Sequence, residues 1–452
     1  MPPARLGCLY ALLLLPLLPM VLNRPAGASP HESANPWALP PEGNLIQITP
    51  PARFSVDDRM SKNVDFWVQV YTKYSTSQGL IHDAKYIDLI YEVVDLRELA
   101  QMVRGEPQNS RLIRSAKRKW KDILFSVHRK QQSPETMDPE ERRVFEMYRG
   151  INEPNKFINA AHRKRLRFQL GQKDQFLDGL IQSGRFLSIM EEIFNREGLP
   201  KELTRLPFVE SSFNVRARSK VGASGIWQFM RSTGKLFLKI NDAVDERNDP
   251  IRATEAAAKL LRLNYESLGK WPLAVTAYNH GRKGMMRAVR LTGTDDLEEL
   301  VGSYRSRTFG FASSNFFCEL LAAIEVERNA EKYFGKIKRD PVLRYVEAKI
   351  PDYIGLHDLS EFLKLDIQDL KALNPGLSDF VFSGRRLIPA GYQLRLPFDG
   401  TLSKEAALRV FFAGYSQIPG IYKVRAQLKG SGKKRAGASR PAKTQIRGQQ
   451  KG

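Results

Sequence analysis

The chain of 452 residues carries 71 lysines and arginines against 49 acidic residues, a formal net charge of +22 at pH 7. This length predicts two or three domains, and the charge favours a polyanionic partner: nucleic acid, an anionic membrane or an acidic polymer. Six scattered histidines give no metal-ligand spacing, and glycine-rich phosphate loops are absent, so neither a metal nor a cofactor is expected.

The N-terminus predicts a secretory signal peptide over residues 1–28. Arg5 precedes an apolar stretch, residues 6–22, that two prolines interrupt, and small residues follow at 26–28. A lipoprotein anchor is the rival, but Cys8 lies at the beginning of the apolar stretch, where a lipidated cysteine does not belong. Once the signal is removed, Cys318 is the remaining cysteine, so no intrachain disulfide is expected. We therefore expect export to the periplasm, with association with the cell wall or outer membrane left open.

Helical periodicity dominates the chain from residue 61 to about 335. An extended leader, residues 29–60, precedes an N-terminal helical region, residues 61–173. Apolar residues then recur at helical spacing from Asp174 to Arg196. Asp249 and Pro250 fit the N-cap and the first position of a further helix, so this carboxylate is expected to cap rather than to react.

The segment from Leu206 to Met230 contains the most informative carboxylate. Glu210 follows four apolar residues, and their burial is expected to raise its pKa toward a value useful for donating a proton. Such a proton donor serves glycosidic bond cleavage. The alternative is that Glu210 merely ends an apolar helix and faces water.

Three motifs share the order and spacing of a known family. They are Glu210 with two serines, residues 225–228 reading GIWQ, and residues 277–279 reading AYN. Over residues 174–338 the chain resembles the lysozyme-like lytic transglycosylases, of the membrane-bound murein transglycosylase D type. The resemblance implies a mainly α fold (α+β, lysozyme-like) for this catalytic domain. It also implies cleavage of the β-1,4 bond between N-acetylmuramic acid and N-acetylglucosamine, leaving 1,6-anhydromuramic acid ends.

The same resemblance implies roles for individual residues. Glu210 would be the single acid and base, Ser211 would orient it or the substrate's acetamido group, and Tyr278 would hold it. Gln228 and Asn279 would bind the glycan strand. Trp227 would be a sugar platform or a core residue, and Gly222 and Gly225 would let the backbone approach the ligand.

One departure from the family pattern favours a second reading. The family places a tyrosine near the start of the last catalytic helix, but residues 309–317 read FGFASSNFF, with Phe311 or Phe317 in its place. A catalytically weakened peptidoglycan-binding protein is therefore the alternative function. A nucleic-acid binder is the poorer expectation, because the signal peptide and the context of Glu210 argue against it.

The C-terminal part changes character after residue 340. Residues 342–398 predict a strand, two helices and a strand, and resemble a divergent LysM module, which in its family binds N-acetylglucosamine in peptidoglycan. The acidic turn usual after the first strand is replaced here by residues 354–357, reading IGLH, so a capping domain without ligand stays an alternative. Residues 401–422 suggest the start of a second, truncated module. Residues 423–452 are basic and predict a disordered tail that contacts the anionic membrane or the wall peripherally.

Overall fold

The computed structural model describes residue 54, residues 58–97 and residues 107–418. The predicted signal peptide, most of the leader and the basic tail lie outside this range. No helix in the described ranges is long and apolar enough to cross a membrane. The described residues divide into two compact units, one within residues 1–238 and 247–342 and the other within residues 239–246 and 343–452. The described fold is mainly α with two small antiparallel sheets, which confirms the predicted fold class.

The N-terminal part of the first unit combines helices with a three-stranded sheet. In chain order its elements are α1 (Asp58–Thr72), β1 (Gln78–Asp83), β2 (Ile90–Asp95), α2 (Pro107–Lys130), α3 (Pro139–Met147), α4 (Lys156–Ala160) and β3 (Leu166–Leu170). The strands run antiparallel in the order β2–β1–β3. They pack with α2 and α3 around Trp120, Leu124 and Val144.

This sheet corrects the expectation that residues 61–173 are helical. β1 reads QGLIHD, and five of its six residues are buried. A strand covered on both faces does not alternate between polar and apolar residues, so its sequence carries no period of two. The structure therefore places a sheet where sequence periodicity gave no strand signal.

Helices build the rest of the first unit. They are α5 (Lys173–Ser183), α6 (Leu187–Arg196), α7 (Leu206–Ser211), α8 (Arg231–Gly234), α9 (Pro250–Leu268), α10 (Trp271–His280), α11 (Arg282–Thr292), α12 (Leu297–Ser303), α13 (Phe311–Arg328) and α14 (Ala330–Phe334). The mostly buried α13 packs against α1, α7 and α10. The cap of α9 is confirmed, because the Asp249 carboxylate accepts hydrogen bonds from two backbone amides of its first turn.

One predicted helix is interrupted. The apolar repeat over residues 174–196 belongs to two helices, α5 and α6, that separate at Gly184. A Cβ at Gly184 would lie 2.2 Å from the carbonyl oxygen of Asp340. The absence of a side chain at Gly184 therefore lets the backbone at Asp340 come close. The apolar repeat does not predict this contact, because it depends on a residue far along the chain.

The second unit is a small α+β fold with an antiparallel strand pair. Its elements are β4 (Tyr345–Lys349), α15 (Leu356–Leu363), α16 (Ile367–Leu373), α17 (Asp379–Phe382), β5 (Gln393–Pro397) and α18 (Lys404–Tyr415). The predicted strand, helix, helix, strand order is present with α17 added, and β4 pairs antiparallel with β5. Val244 inserts into this core from residues 239–246, and Phe411 and Tyr415 of α18 pack into it. Residues 404–415 thus complete the same core, so the suggestion that a second module begins there is wrong.

Candidate active site

The short helix α7 carries Glu210 on its last turn. Pro207 suits the first turn because its missing N–H needs no partner there, and the Phe208 ring stacks on Phe176 with centroids 4.7 Å apart. The helix then ends abruptly at Ser212 and Phe213, whose φ angles are +50° and +55°. Left-handed backbone at two successive residues that are not glycine is strained, and such strain concentrates at functional sites.

The carboxyl group of Glu210 is held in its acid form. Its side chain keeps part of its surface exposed, and it makes no hydrogen bond or ion pair with the residues that the structure describes. Burial in the surrounding protein disfavours the charged form and raises the pKa of Glu210 to about 8. At neutral pH this group therefore holds a proton that it can donate.

The second motif is joined to α7 by hydrogen bonds to the backbone. The hydroxyl of the fully buried Ser211 donates to the carbonyl oxygen of Ile226 at 2.8 Å. Gln228, with a φ of +46°, donates from its amide to the carbonyl oxygens of Gly225 at 2.8 Å and Ala217 at 3.2 Å. The predicted glycan-binding residue Gln228 thus also closes the turn that presents it.

Two predicted roles in this motif change. A Cβ at Gly225 would lie 1.7 Å from the carbonyl oxygen of Arg247, so this glycine admits protein backbone rather than a ligand. Trp227 is fully buried, stacks on Phe194 and donates its indole N–H to Thr254 at 2.9 Å. It is a core residue, and the sugar-platform alternative is wrong because no face of its ring reaches the surface. Gly222 is exposed with open space around it.

The third motif reaches the same site from α10. The Tyr278 hydroxyl donates to the carbonyl oxygen of Trp227 at 2.9 Å. Burial, together with the nearby charge of Glu210, raises the pKa of Tyr278 well above its usual value, so this phenol lies close to Glu210. Asn279 accepts a hydrogen bond from the Ser313 hydroxyl at 2.8 Å. The structure thus brings the three motifs together.

Sequence reasoning missed a second acid, Glu319, on α13. Burial and, secondarily, the charge of Glu210 raise the pKa of Glu319 to about 8. The fully enclosed Tyr71 of α1 lies near it, because the charge of Glu319 contributes to the raised pKa of that phenol. The available signal was a single acid inside the apolar run of residues 316–324, since acids are rarely enclosed without a reason.

His280 directly follows the third motif, and Phe317 lies on α13. The pKa of the His280 ring is lowered by burial, and its ring packs edge-on against Phe309 at 5.0 Å. Phe317, where the family tyrosine was considered, is buried. In the described ranges no group of three or more histidine, cysteine or acidic side chains could hold a metal ion.

The part of the chain that contains the three motifs is similar to known proteins. Residues 189–301, which contain all three motifs, match the family model of the Transglycosylase SLT domain. This segment is therefore similar to that domain.

Individual relatives share this part of the chain. Over 235 residues the chain is 26% identical to the membrane-bound lytic murein transglycosylase D of Escherichia coli K12, covering 51% of this chain and 50% of that protein. It is 36% identical over 103 residues to a putative tributyltin chloride resistance protein of Alteromonas sp., covering 22% and 49%. The chain thus spans about half the length of these curated relatives.

Two solved structures show limited likeness. One is the lytic transglycosylase Slt of Pseudomonas aeruginosa, solved as an inactive mutant, with 17% identity, a TM-score of 0.27 and coverage of 55% of this chain and 36% of that one. The other is the 70 kDa soluble lytic transglycosylase of Escherichia coli, with 16% identity, a TM-score of 0.25 and coverage of 64% and 38%.

Proposed function

We propose that this protein is a peptidoglycan lytic transglycosylase whose single acid and base is Glu210. It would cleave the β-1,4 bond between N-acetylmuramic acid and N-acetylglucosamine and leave 1,6-anhydromuramic acid ends. The observation that carries the proposal is a carboxyl group with a pKa of about 8 at the meeting point of three motifs, inside the segment that matches the SLT domain.

The chemistry needs one proton, used twice. Glu210 gives its proton to the glycosidic oxygen as the bond from that oxygen to the muramic C1 breaks, which releases the 4-hydroxyl of N-acetylglucosamine. The resulting carboxylate takes the proton of the muramic 6-hydroxyl, whose oxygen forms the new bond to C1. The acid form is restored and no water is consumed. A pKa near the working pH suits a group that must both donate and accept.

The state of Glu319 supports this route over ordinary hydrolysis. A retaining or inverting glycosidase uses an ionised second carboxylate as nucleophile or base. The pKa of Glu319 is also raised to about 8, so this group is predominantly neutral at pH 7 and is a poor nucleophile or base. An internal hydroxyl as nucleophile removes the need for a second carboxylate.

The neighbouring residues have supporting roles in this proposal. Tyr278, whose hydroxyl donates to the carbonyl oxygen of Trp227, lies close to the acid and packs the third motif against the second, and Ser211 fixes the end of α7 against the second motif. Gln228 and Asn279 contact the glycan strand from the turn and from α10.

The other parts of the chain bring the enzyme to the periplasm and keep it at the cell wall. The N-terminal signal directs export to the periplasm, the LysM-like residues 342–398 hold the enzyme on peptidoglycan, and the basic residues 423–452 add peripheral contact with the anionic membrane or the wall. No nucleic acid is involved.

The test uses the mature protein and purified murein sacculi, with mass spectrometry of the released products. The proposal expects anhydromuropeptides from the wild type and none above background from Glu210→Gln. Glu255→Gln is the matched control, because Glu255 is paired with Arg252 at the surface of α9. Reducing-end products with one added water would show a hydrolase instead. Tight binding to sacculi without any product would favour the weakened binding protein.

A further inference from the structure

Arg167, His82 and Lys117 lie together at the N-terminal sheet, and none of them forms an ion pair with an acidic side chain in the described part of the chain. His82 of β1 lies directly opposite Arg167 of β3 in the antiparallel register, so both side chains project from the same face. Both contact one ring: the Arg167 guanidinium carbon lies 4.1 Å from the Phe311 centroid, and the His82 ring lies 5.6 Å from it. Lys117 of α2 is near enough for its charge to lower the pKa of His82.

Arg167 and Lys117 differ in this from two other partly buried arginines of the described chain, Arg165 and Arg205. Arg165 pairs with Asp83 and Glu153, and Arg205 pairs with two glutamates. Arg167 and Lys117 form no ion pair with a described residue, and the Arg167 Nε is buried without a hydrogen-bond partner. Burial alone lowers the pKa of Arg167. A desolvated cation without a counter-charge is costly to the fold, and a bound anion would offset that cost.

His82 adds a hydrogen-bond acceptor to this cluster. It is fully buried, and its Nδ1 donates to the carbonyl oxygen of Asp83 at 3.0 Å, since a carbonyl can only accept. Burial lowers the pKa of His82 to about 3, so the ring is neutral and its Nε2 carries a lone pair. That atom is enclosed and has no partner in the described chain. The site therefore offers two cations and one acceptor.

We propose that Arg167, Lys117 and His82 form a binding site for a peptide carboxylate together with a neighbouring N–H group. The guanidinium and ammonium groups take the carboxylate, and the His82 Nε2 accepts from the N–H. A carboxylate and an N–H on one carbon are the end of a peptide or amino acid, whereas a sulfate or a fully ionised phosphate ester offers no donor for His82.

The position of the cluster links it to the glycan site. Phe311 begins α13, and two residues later the Ser313 hydroxyl donates to Asn279, a proposed sugar-binding residue. If the proposed function holds, on which this identification rests, the ligand is the peptide stem that muramic acid carries. The cluster at the N-terminal sheet would then bind the peptide stem, while the three motifs bind the sugars.

The test measures binding, so that it does not depend on turnover. The full mature chain with Glu210→Gln is titrated calorimetrically with three ligands: a disaccharide bearing its peptide stem, the same compound with its carboxylates amidated, and the peptide-free disaccharide. We expect the free carboxylates to tighten binding about tenfold to a hundredfold, the range of a charge-assisted hydrogen bond. Adding Arg167→Gln or Lys117→Gln should remove most of this preference, and Arg167→Lys should restore part of it.

The control is Arg163→Gln, an exposed residue in the turn before β3, which should keep the full preference. The comparison of free with amidated ligand is made on the chain that retains Arg167, so it remains valid even if the Arg167→Gln variant misfolds. Equal binding of free and amidated stems, or a preference that survives Arg167→Gln, overturns the site. Product formation from sacculi by the chain with Glu210 intact decides the proposed function separately, so either idea can fail alone.

Discussion

Replacing Glu210 with glutamine should have opposite effects on activity and stability. Glutamine keeps the shape of the side chain but has no proton to donate, and loss of a general acid and base typically lowers the rate by about 10² to 10⁴. The same replacement removes a group whose charged form the fold disfavours. We therefore expect a folded, inactive and more stable protein.

The sign and size of the stability effect follow from the pKa. The Glu210 pKa rises from 4.5 to about 8 on folding, so between these values the folded state holds a proton that the unfolded state has lost. The free energy of unfolding then falls as pH rises through this window and levels off above about 8. At about 1.4 kcal/mol per pH unit the full shift corresponds to roughly 5 kcal/mol. Water that reaches the partly exposed side chain reduces this electrostatic cost. We therefore expect the free energy of unfolding of Glu210→Gln to exceed that of the wild type by about 1–3 kcal/mol at pH 8.

The assay is scanning calorimetry of the wild type and Glu210→Gln at pH 5 and pH 8. A gain of this size raises the melting temperature by several degrees at pH 8 and by much less at pH 5. Glu255→Gln is the control, because its surface ion pair should contribute less than about 1 kcal/mol at either pH. A Glu210→Gln protein that is less stable than the wild type at pH 8, or that still releases anhydromuropeptides, would refute the reasoning.

Three further predictions concern the same unit. Cleavage of sacculi should decline as pH rises through about 8, where Glu210 loses its proton. A cleavage rate that stays unchanged up to pH 10 would contradict the acid role. Gly225→Ala should cost about 3–5 kcal/mol of unfolding free energy, because its Cβ would meet the Arg247 carbonyl oxygen at a φ of +79°. Gly222→Ala, at a similar φ but with open space around it, should cost only about 1–2 kcal/mol. If denaturant unfolding shows the same loss of unfolding free energy for both variants, the contact with the Arg247 carbonyl oxygen does not matter. Ser211→Ala should cost about 1–3 kcal/mol in the same measurement, because it removes the hydrogen bond to the buried carbonyl oxygen of Ile226. An unchanged unfolding midpoint would show that this hydrogen bond does not stabilise the fold.

Local sequence was sufficient for features that depend on neighbouring residues. The Asp249 cap follows from one carboxylate and the backbone amides of the next turn, and the structure confirms it. The mainly α class follows from the period of the apolar residues. The partly buried setting of Glu210 follows from the apolar residues before it, and its raised pKa agrees.

Tertiary structure decided what depends on residues far apart in the chain. Glu319 lies 109 positions after Glu210 and reaches it because α13 packs against α7. Trp227 is a core residue because Phe194 and Thr254 enclose it, and no local pattern distinguishes this from a sugar platform. β1 gave no strand signal because both of its faces are covered. Arg167 could be recognised as unpaired only after folding, since pairing and desolvation depend on which distant side chains surround a charge.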